Sequence, residues 1–402
     1  MQCLRRIFVL ATIAAISSIG PHPAEAADPL PSLDVDLGQT SVSGLSSGAY
    51  MAGQFHVAFS ETLIGAGIVA GGPYGCAENQ LAVALNRCMQ TFLGTPDPSR
   101  LVDRARSLES QGEIDALGNL VDDRVYVFSG TADETVVQRV VDQSANFYTA
   151  VGVPPANIRY VDAIAAGHGF VTETTGNACG VTQTPFINDC DLDQAGDILD
   201  HIYGELNAPA ESLGGSLIEF DQSEFLPQPN AHGMAASGFA YVPEECAGEA
   251  ACRVHVAFHG CKQTSEFVGD RFRVQAGYNR WADTNRIIVL YPEAHDTFLN
   301  PNACWDWWGY DDSNYATKSG RQMAAVRGML DRLAGLTVDP PPEVCAAHSA
   351  TNFQHWQAGR ADFCFFGALC AIGSGDSLGY AIFQTTLHEH APGVFSLQPC
   401  EP

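Results

Sequence analysis

Residues Thr40 to Phe55 read TSVSGLSSGAYMAGQF: an extended run, then Gly44-Leu45-Ser46-Ser47-Gly48, then a helix-forming stretch. Strand, sharp turn and helix in immediate succession leave few folds open, because the helix must pack back over its own strand. Glycines on both sides of the serines give the backbone room to turn and lift a hydroxyl above the sheet. Ser46, centred between them, is the residue placed to attack a substrate. Ser47, at the start of the helix, offers its backbone N–H to a developing oxyanion.

The rest of the chain agrees with a layered architecture. Apolar runs at 40–44, 65–71, 124–130, 157–163, 216–222, 237–243, 253–260 and 286–294 predict strands, and helical patterns fall at 47–60, 135–150 and 318–335. Strands alternating with helices predict an α/β fold with a mostly parallel sheet. In that setting G-x-S-x-G is the nucleophile elbow of α/β-hydrolases. A second match, GDSLG at 375–379, has no strand leading into it and reads as a glycine-rich turn.

A serine nucleophile needs a base and an orienting carboxylate, in the order Ser, acid, His for this fold. Asp133 in FSGTADETV follows one predicted strand, and His168 in AAGHGF follows the next. Alone, Asp133 reads equally well as a helix cap and His168 as a turn residue. Together, at consecutive strand ends and in the required order, they complete a triad with Ser46. Asp122, Asp123 and Asp162 precede a strand or lie within one and fit the role less well.

Composition narrows the partners. A net charge of −26 with two lysines, Lys262 and Lys318, argues against nucleic acid and anionic membranes and suits an uncharged substrate. Arg5 and Arg6, the apolar run that follows and Ala-Glu-Ala at 24–26 have the form of a signal peptide over residues 1–26, so the chain is expected to be secreted, to periplasm or medium. Twelve cysteines then remain, an even number that predicts disulfides in an exported chain. Sequence neighbours suggest Cys76–Cys88, Cys179–Cys190 and Cys246–Cys252. No CxxC pair occurs, so no zinc site is expected, and no metal or organic cofactor is implied. Pro340-Pro341-Pro342 marks a boundary between a body at 27–338 and a small cysteine-rich appendage at 339–402.

One feature breaks the usual order. An α/β-hydrolase carries its oxyanion loop after a strand upstream of the serine, yet too little chain precedes Ser46. Instead VHVAFHGCKQ lies far downstream, and 216–336 looks like the first half of the fold with 40–170 as the second. The fold expected is a circularly permuted α/β-hydrolase, its mostly parallel sheet flanked by helices.

The blocks SVSGLSSGAYMA, FSGTADETV, AAGHGF, FHGC and NPNACWDWWGY, in this order over about 40–336, resemble the secreted polyhydroxybutyrate depolymerases with a type 2, permuted catalytic domain. The resemblance implies hydrolysis of polyester polymer or oligomers through an acyl-enzyme. It also implies a triad of Ser46, Asp133 and His168, with an oxyanion hole from the amides of Ser47 and Cys261. A Cys261–Cys304 disulfide would then tie the oxyanion loop to the aromatic loop. His259 reads as structural. Trp307 is the tryptophan favoured for the substrate cleft, with Trp305 and Trp308 not separable from it, while Asp306 makes a local hydrogen bond. A feruloyl or acetyl-xylan esterase would use the same machinery, and a dead scaffold that only binds would lack it.

Overall fold

The computed structural model describes residues 27–248, 251–337, 346–364, 368–391 and 394–398. The expected signal peptide lies outside these residues.

Eight strands form the main sheet: β1 (Thr40–Leu45), β2 (Leu63–Val69), β3 (Arg124–Phe128), β4 (Ile158–Val161), β5 (Ser216–Asp221), β6 (Ser237–Val242), β7 (Arg253–Phe258) and β8 (Ile287–Tyr291). They lie in the order β4-β3-β2-β1-β7-β8-β6-β5. Only β6 runs against the rest, pairing antiparallel with β8 and β5. Counted from β5 onward, the order becomes first, second, fourth, third, then fifth to eighth, which is an α/β-hydrolase sheet entered half-way along. The permuted reading expects this order.

The ends of that arrangement meet. Leu33 donates its amide to the Leu333 carbonyl at 2.8 Å, and Leu30, 1% exposed, is sunk in the core. The first described segment therefore packs on the last helix of the body.

Helices cover both faces: α1 (Ser47–Ala58), α2 (Pro98–Ser110), α3 (Gln138–Val151), α4 (Gln194–Tyr203), α5 (Tyr278–Asn285) and α6 (Arg321–Leu333). β1 and α1 are buried along their whole length, as a central parallel strand and its crossover helix must be. α3 begins three residues later than its pattern predicts, because residues 134–137 form a turn held by Asp133.

A buried polar clamp lies under β1. Ser41 and Ser43 present their hydroxyls to Nδ1 and Nε2 of His255 on β7, each at 2.7 Å, and Tyr203 and Tyr278 extend the network. Burial holds the His255 imidazole down to about 3, so it stays neutral.

Beyond α6, the described residues between 346 and 398 form two three-stranded sheets and a short helix (Asn352–Gln357), stapled by Cys364–Cys370. Ser377, of the second GDSLG-type match, lies exposed on one of these strands.

Candidate active site

The turn after β1 carries the most constrained backbone of the site. Ser46 has φ +57° and ψ −120°, a conformation that a residue with a side chain adopts only when its surroundings enforce it. The two glycines are what make the turn fit. A Cβ at Gly44 would lie 2.3 Å from the Gly48 carbonyl, and one at Gly48 would lie 2.3 Å from the Phe258 carbonyl. Helix, strand β1 and strand β7 thus approach more closely than any side chain would allow.

Register sets the next contact. Gly44 pairs with Phe258 across β1 and β7, so Ser46 and Gly260, each two residues further on, meet above the sheet. A Cβ built on Gly260 would fall 3.4 Å from the Ser46 Cβ. The turn 260–263 is closed by Gln263 N–H on the Gly260 carbonyl at 3.2 Å and by Gly260 N–H on Gln263 Oε1 at 2.7 Å. Gln263 also donates through Nε2 to the carbonyls of Pro185 and Phe186. Its spacing three residues past Gly260 was the signal that a sequence reading could have used for it.

Asp133 and His168 are joined through their loops. Thr131 and Ala132 donate to the carbonyls of Ile164 and Ala166 at 2.8 and 3.1 Å, zipping the loop after β3 to the loop after β4. Asp133 Oδ2 then accepts from His168 Nδ1 at 2.7 Å. Its other oxygen accepts from the amides of Thr135 and Val136 at 2.8 and 3.0 Å. The aspartate thus accepts from the turn amides with one oxygen and from the imidazole with the other, and the turn amides fix the carboxylate against the ring. With Nδ1 engaged, Nε2 is the nitrogen left for proton transfer. The His168 amide donates to Thr182 Oγ1 at 2.8 Å, and Gly167 donates to the Cys179 carbonyl, so the Cys179–Cys190 loop supports the ring from behind.

Ser46 and His168 open on one cavity of about 360 Å³, which Cys261 also lines. Ser47 is the first residue of α1, where an amide has no acceptor within its own helix. The cavity wall is mostly apolar, with Leu81, Leu85, Met89, Leu299, Trp307 and Trp308 around the serine. Trp307 stacks on Tyr50 at 4.1 Å between ring centroids, and Trp308 meets Trp307 edge-on at 5.4 Å.

Trp305 departs from the expectation that grouped it with these two. It is fully buried, and its indole N–H donates to the His259 carbonyl at 3.1 Å. Consecutive side chains diverge, so a run of tryptophans cannot all face one cleft. Trp305 props the turn that carries Cys261 instead. His259 is structural, as expected: Nδ1–H donates to the Gly260 carbonyl at 2.7 Å and Nε2 accepts from Ala294 at 3.0 Å. Burial pushes its imidazole down to about 4. Asp306 accepts from four amides, those of Gly309, Tyr310, Asp311 and Asp312, and so knots the aromatic loop.

The disulfides Cys76–Cys88, Cys179–Cys190, Cys246–Cys252 and Cys261–Cys304 are all formed. The first carries Leu81 and Leu85 to the cavity and the last joins the 260–263 turn to the aromatic loop. Sequence reasoning missed Tyr50 and the 81–89 segment, because nothing in their spelling distinguishes a cavity wall from core.

Known proteins with the same sequence pattern decide the family. The chain is 48% identical over 345 residues to a poly(3-hydroxybutyrate) depolymerase of Delftia acidovorans, covering 84% of this chain and 68% of that one. The chain belongs to the polyhydroxybutyrate depolymerase family. It is also 39% identical over 329 residues to a polyhydroxybutyrate depolymerase of Talaromyces funiculosus, 77% of this chain and 93% of the relative. The solved structure of a PHB depolymerase from Penicillium funiculosum superposes with a TM-score of 0.71 at 37% identity, over 77% of this chain and all of that one. A serine-to-alanine variant of a PHB depolymerase complexed with an R3HB trimer matches with the same figures. No family model matches the chain. In this depolymerase-family chain, no helix among the described residues is long and apolar enough to cross a membrane.

Proposed function

We propose that the chain is a serine esterase that hydrolyses the ester bonds of poly(3-hydroxybutyrate) or its oligomers. Ser46 attacks the ester carbonyl while His168 Nε2 takes its proton. Asp133 holds the imidazole and stabilises the positive charge it acquires. The tetrahedral oxyanion is met by the amides of Ser47 and Cys261, each such donor contributing about 3 kcal/mol to the barrier reduction. His168 returns the proton to the leaving alcohol. Water, activated by the same imidazole, then releases the hydroxy acid.

The observation that carries this reading is that His168, hydrogen-bonded to Asp133, opens with Ser46 on one apolar cavity. The apolar wall suits a neutral methyl-bearing chain better than a polysaccharide, so a feruloyl or acetyl-xylan esterase is not favoured. We also propose that the protein works outside the cytoplasm, which its disulfides favour, after removal of residues 1–26, and that residues 339–402 form an appendage to the catalytic body.

Incubation with amorphous polyhydroxybutyrate tests the substrate: monomer or dimer of the hydroxy acid should appear. Release of ferulate or acetate from cell-wall material without any hydroxy acid would overturn it. A fluorophosphonate probe should label the native protein and not Ser46→Ala; equal labelling of both would remove Ser46 from its role.

A further inference from the structure

We propose that Lys262 reads the free carboxylate at the end of a short hydroxy-acid chain, making it a specificity-determining residue for oligomers. The inference rests on the polyester reading above and adds a preference within it.

The chain has two lysines and a net charge of −26. Lys318 is committed to Asp115 at 3.0 Å. Lys262 is exposed at the cavity, one residue beyond Cys261, and makes no ion pair among the described residues. Among the residues lining the cavity, none is an aspartate or glutamate, and the other group able to carry positive charge is His168, already bound to Asp133. Lys262 donates its amide to the Asn302 carbonyl at 2.8 Å, and Asn302 lines the cavity too. One polar, cationic corner is therefore set into an apolar wall.

The backbone supplies a second, independent observation. Lys262 has φ +59° at the third position of the 260–263 turn, where a type II turn favours glycine or asparagine. A long cationic side chain stands there against the local conformational preference, at the rim of the cavity that Lys262 lines.

Substrate chemistry gives the corner a use. In a 3-hydroxy acid polyester the carboxyl end lies on the alcohol side of every ester bond. The free carboxylate of an oligomer thus belongs to the leaving group of the last cut. The protein's overall field repels such an anion, and a fixed cation beside the oxyanion turn reverses that repulsion locally. In a long polymer the end is rare and Lys262 has little to read.

The experiment compares kcat/KM for 3-hydroxybutyrate trimers ending in a free carboxylate or in a carboxamide, using the native protein, Lys262→Met and Lys262→Arg. The native protein should prefer the free acid about two- to fivefold at low ionic strength, the range expected of a solvent-accessible ion pair. High salt should erase the preference. Lys262→Met should lose it and Lys262→Arg should keep it. A native ratio of one, or a ratio unchanged in Lys262→Met, overturns the proposal. Failure to cut either trimer would instead overturn the polyester reading itself.

Discussion

At the scale of single residues, position and chemistry were legible where a role needs one side chain and no other. Asp133 pairs with His168, and His168 shares a cavity with Ser46; these residues could be named because order, spacing and residue type all restrict a triad. Trp305 could not be placed, since three tryptophans in four residues do not say which ring faces the cleft. The difference is measurable. Trp305→Phe leaves the buried His259 carbonyl without its donor and should cost about 1–3 kcal/mol in a denaturant titration. Trp307→Ala opens the cavity wall and strips Tyr50 of its stacking partner, so KM for trimer should rise about tenfold with kcat less affected, a loss comparable to an aromatic contact plus its buried area. Asp133→Asn should lower kcat by about 10⁴, as loss of the orienting carboxylate does in a related triad, while far-ultraviolet circular dichroism stays native. A smaller loss would mean that the Thr135 and Val136 turn, rather than the charge, holds the ring.

At the scale of elements, most strands were legible and several helices were not. The strands of the main sheet are short apolar runs bounded by turns, which a chain can hardly use otherwise. α2, α4 and α5 escaped because their buried stripes are diluted by charged residues on the outer face. Pairing of cysteines across 43 residues rested on the family pattern, whereas short-range pairs could be read from spacing. Loop-closure entropy assigns the Cys261–Cys304 bond roughly 4 kcal/mol of stability and the shorter Cys246–Cys252 bond about 2 kcal/mol. Replacing Cys261 and Cys304 by alanine should therefore lower both the melting temperature and kcat, because the oxyanion turn loses its anchor. Replacing Cys246 and Cys252 should lower the melting temperature alone. Buried ionisable groups on the same elements set the response to acid. The imidazoles of His255 and His259 are held down to about 3 and about 4, so the unfolded chain binds protons there that the folded chain refuses. Stability is then full above the ordinary histidine range and is lost as pH falls through it. Glu293, pushed up to about 7 by burial, works the other way, since its folded form keeps a proton that the unfolded form has released. Asp306, also pushed up to about 7 by burial, adds to Glu293, so between pH of about 6.5 and 4.5 two carboxyls oppose the two histidines and largely offset them. Glu293→Gln removes part of that opposition, so its melting temperature should fall more steeply with acid than that of the native protein.

At the scale of the whole molecule, the rearranged order was legible from one misplaced block, the HGC turn far downstream of the serine. The strand order and the Leu33–Leu333 contact show how the body closes on itself. A rearranged catalytic body that starts at Leu213, in the exposed stretch before β5, and joins Leu336 to Leu30 through a short flexible linker should fold and cleave trimer within about tenfold of the native rate. Aggregation of that variant would mean that the native entry point is needed for folding and not merely inherited.

The two amides assigned to the oxyanion come from opposite ends of synthesis. Ser47 emerges early, whereas Cys261 and its sulfur partner Cys304 emerge after most of the body has been made. A nascent chain can thus expose its reactive hydroxyl long before anything is ready to stabilise charge beside it. If Ser47 and Cys261 act as proposed, the site is complete only once Cys304 has been made and its bond to Cys261 has closed.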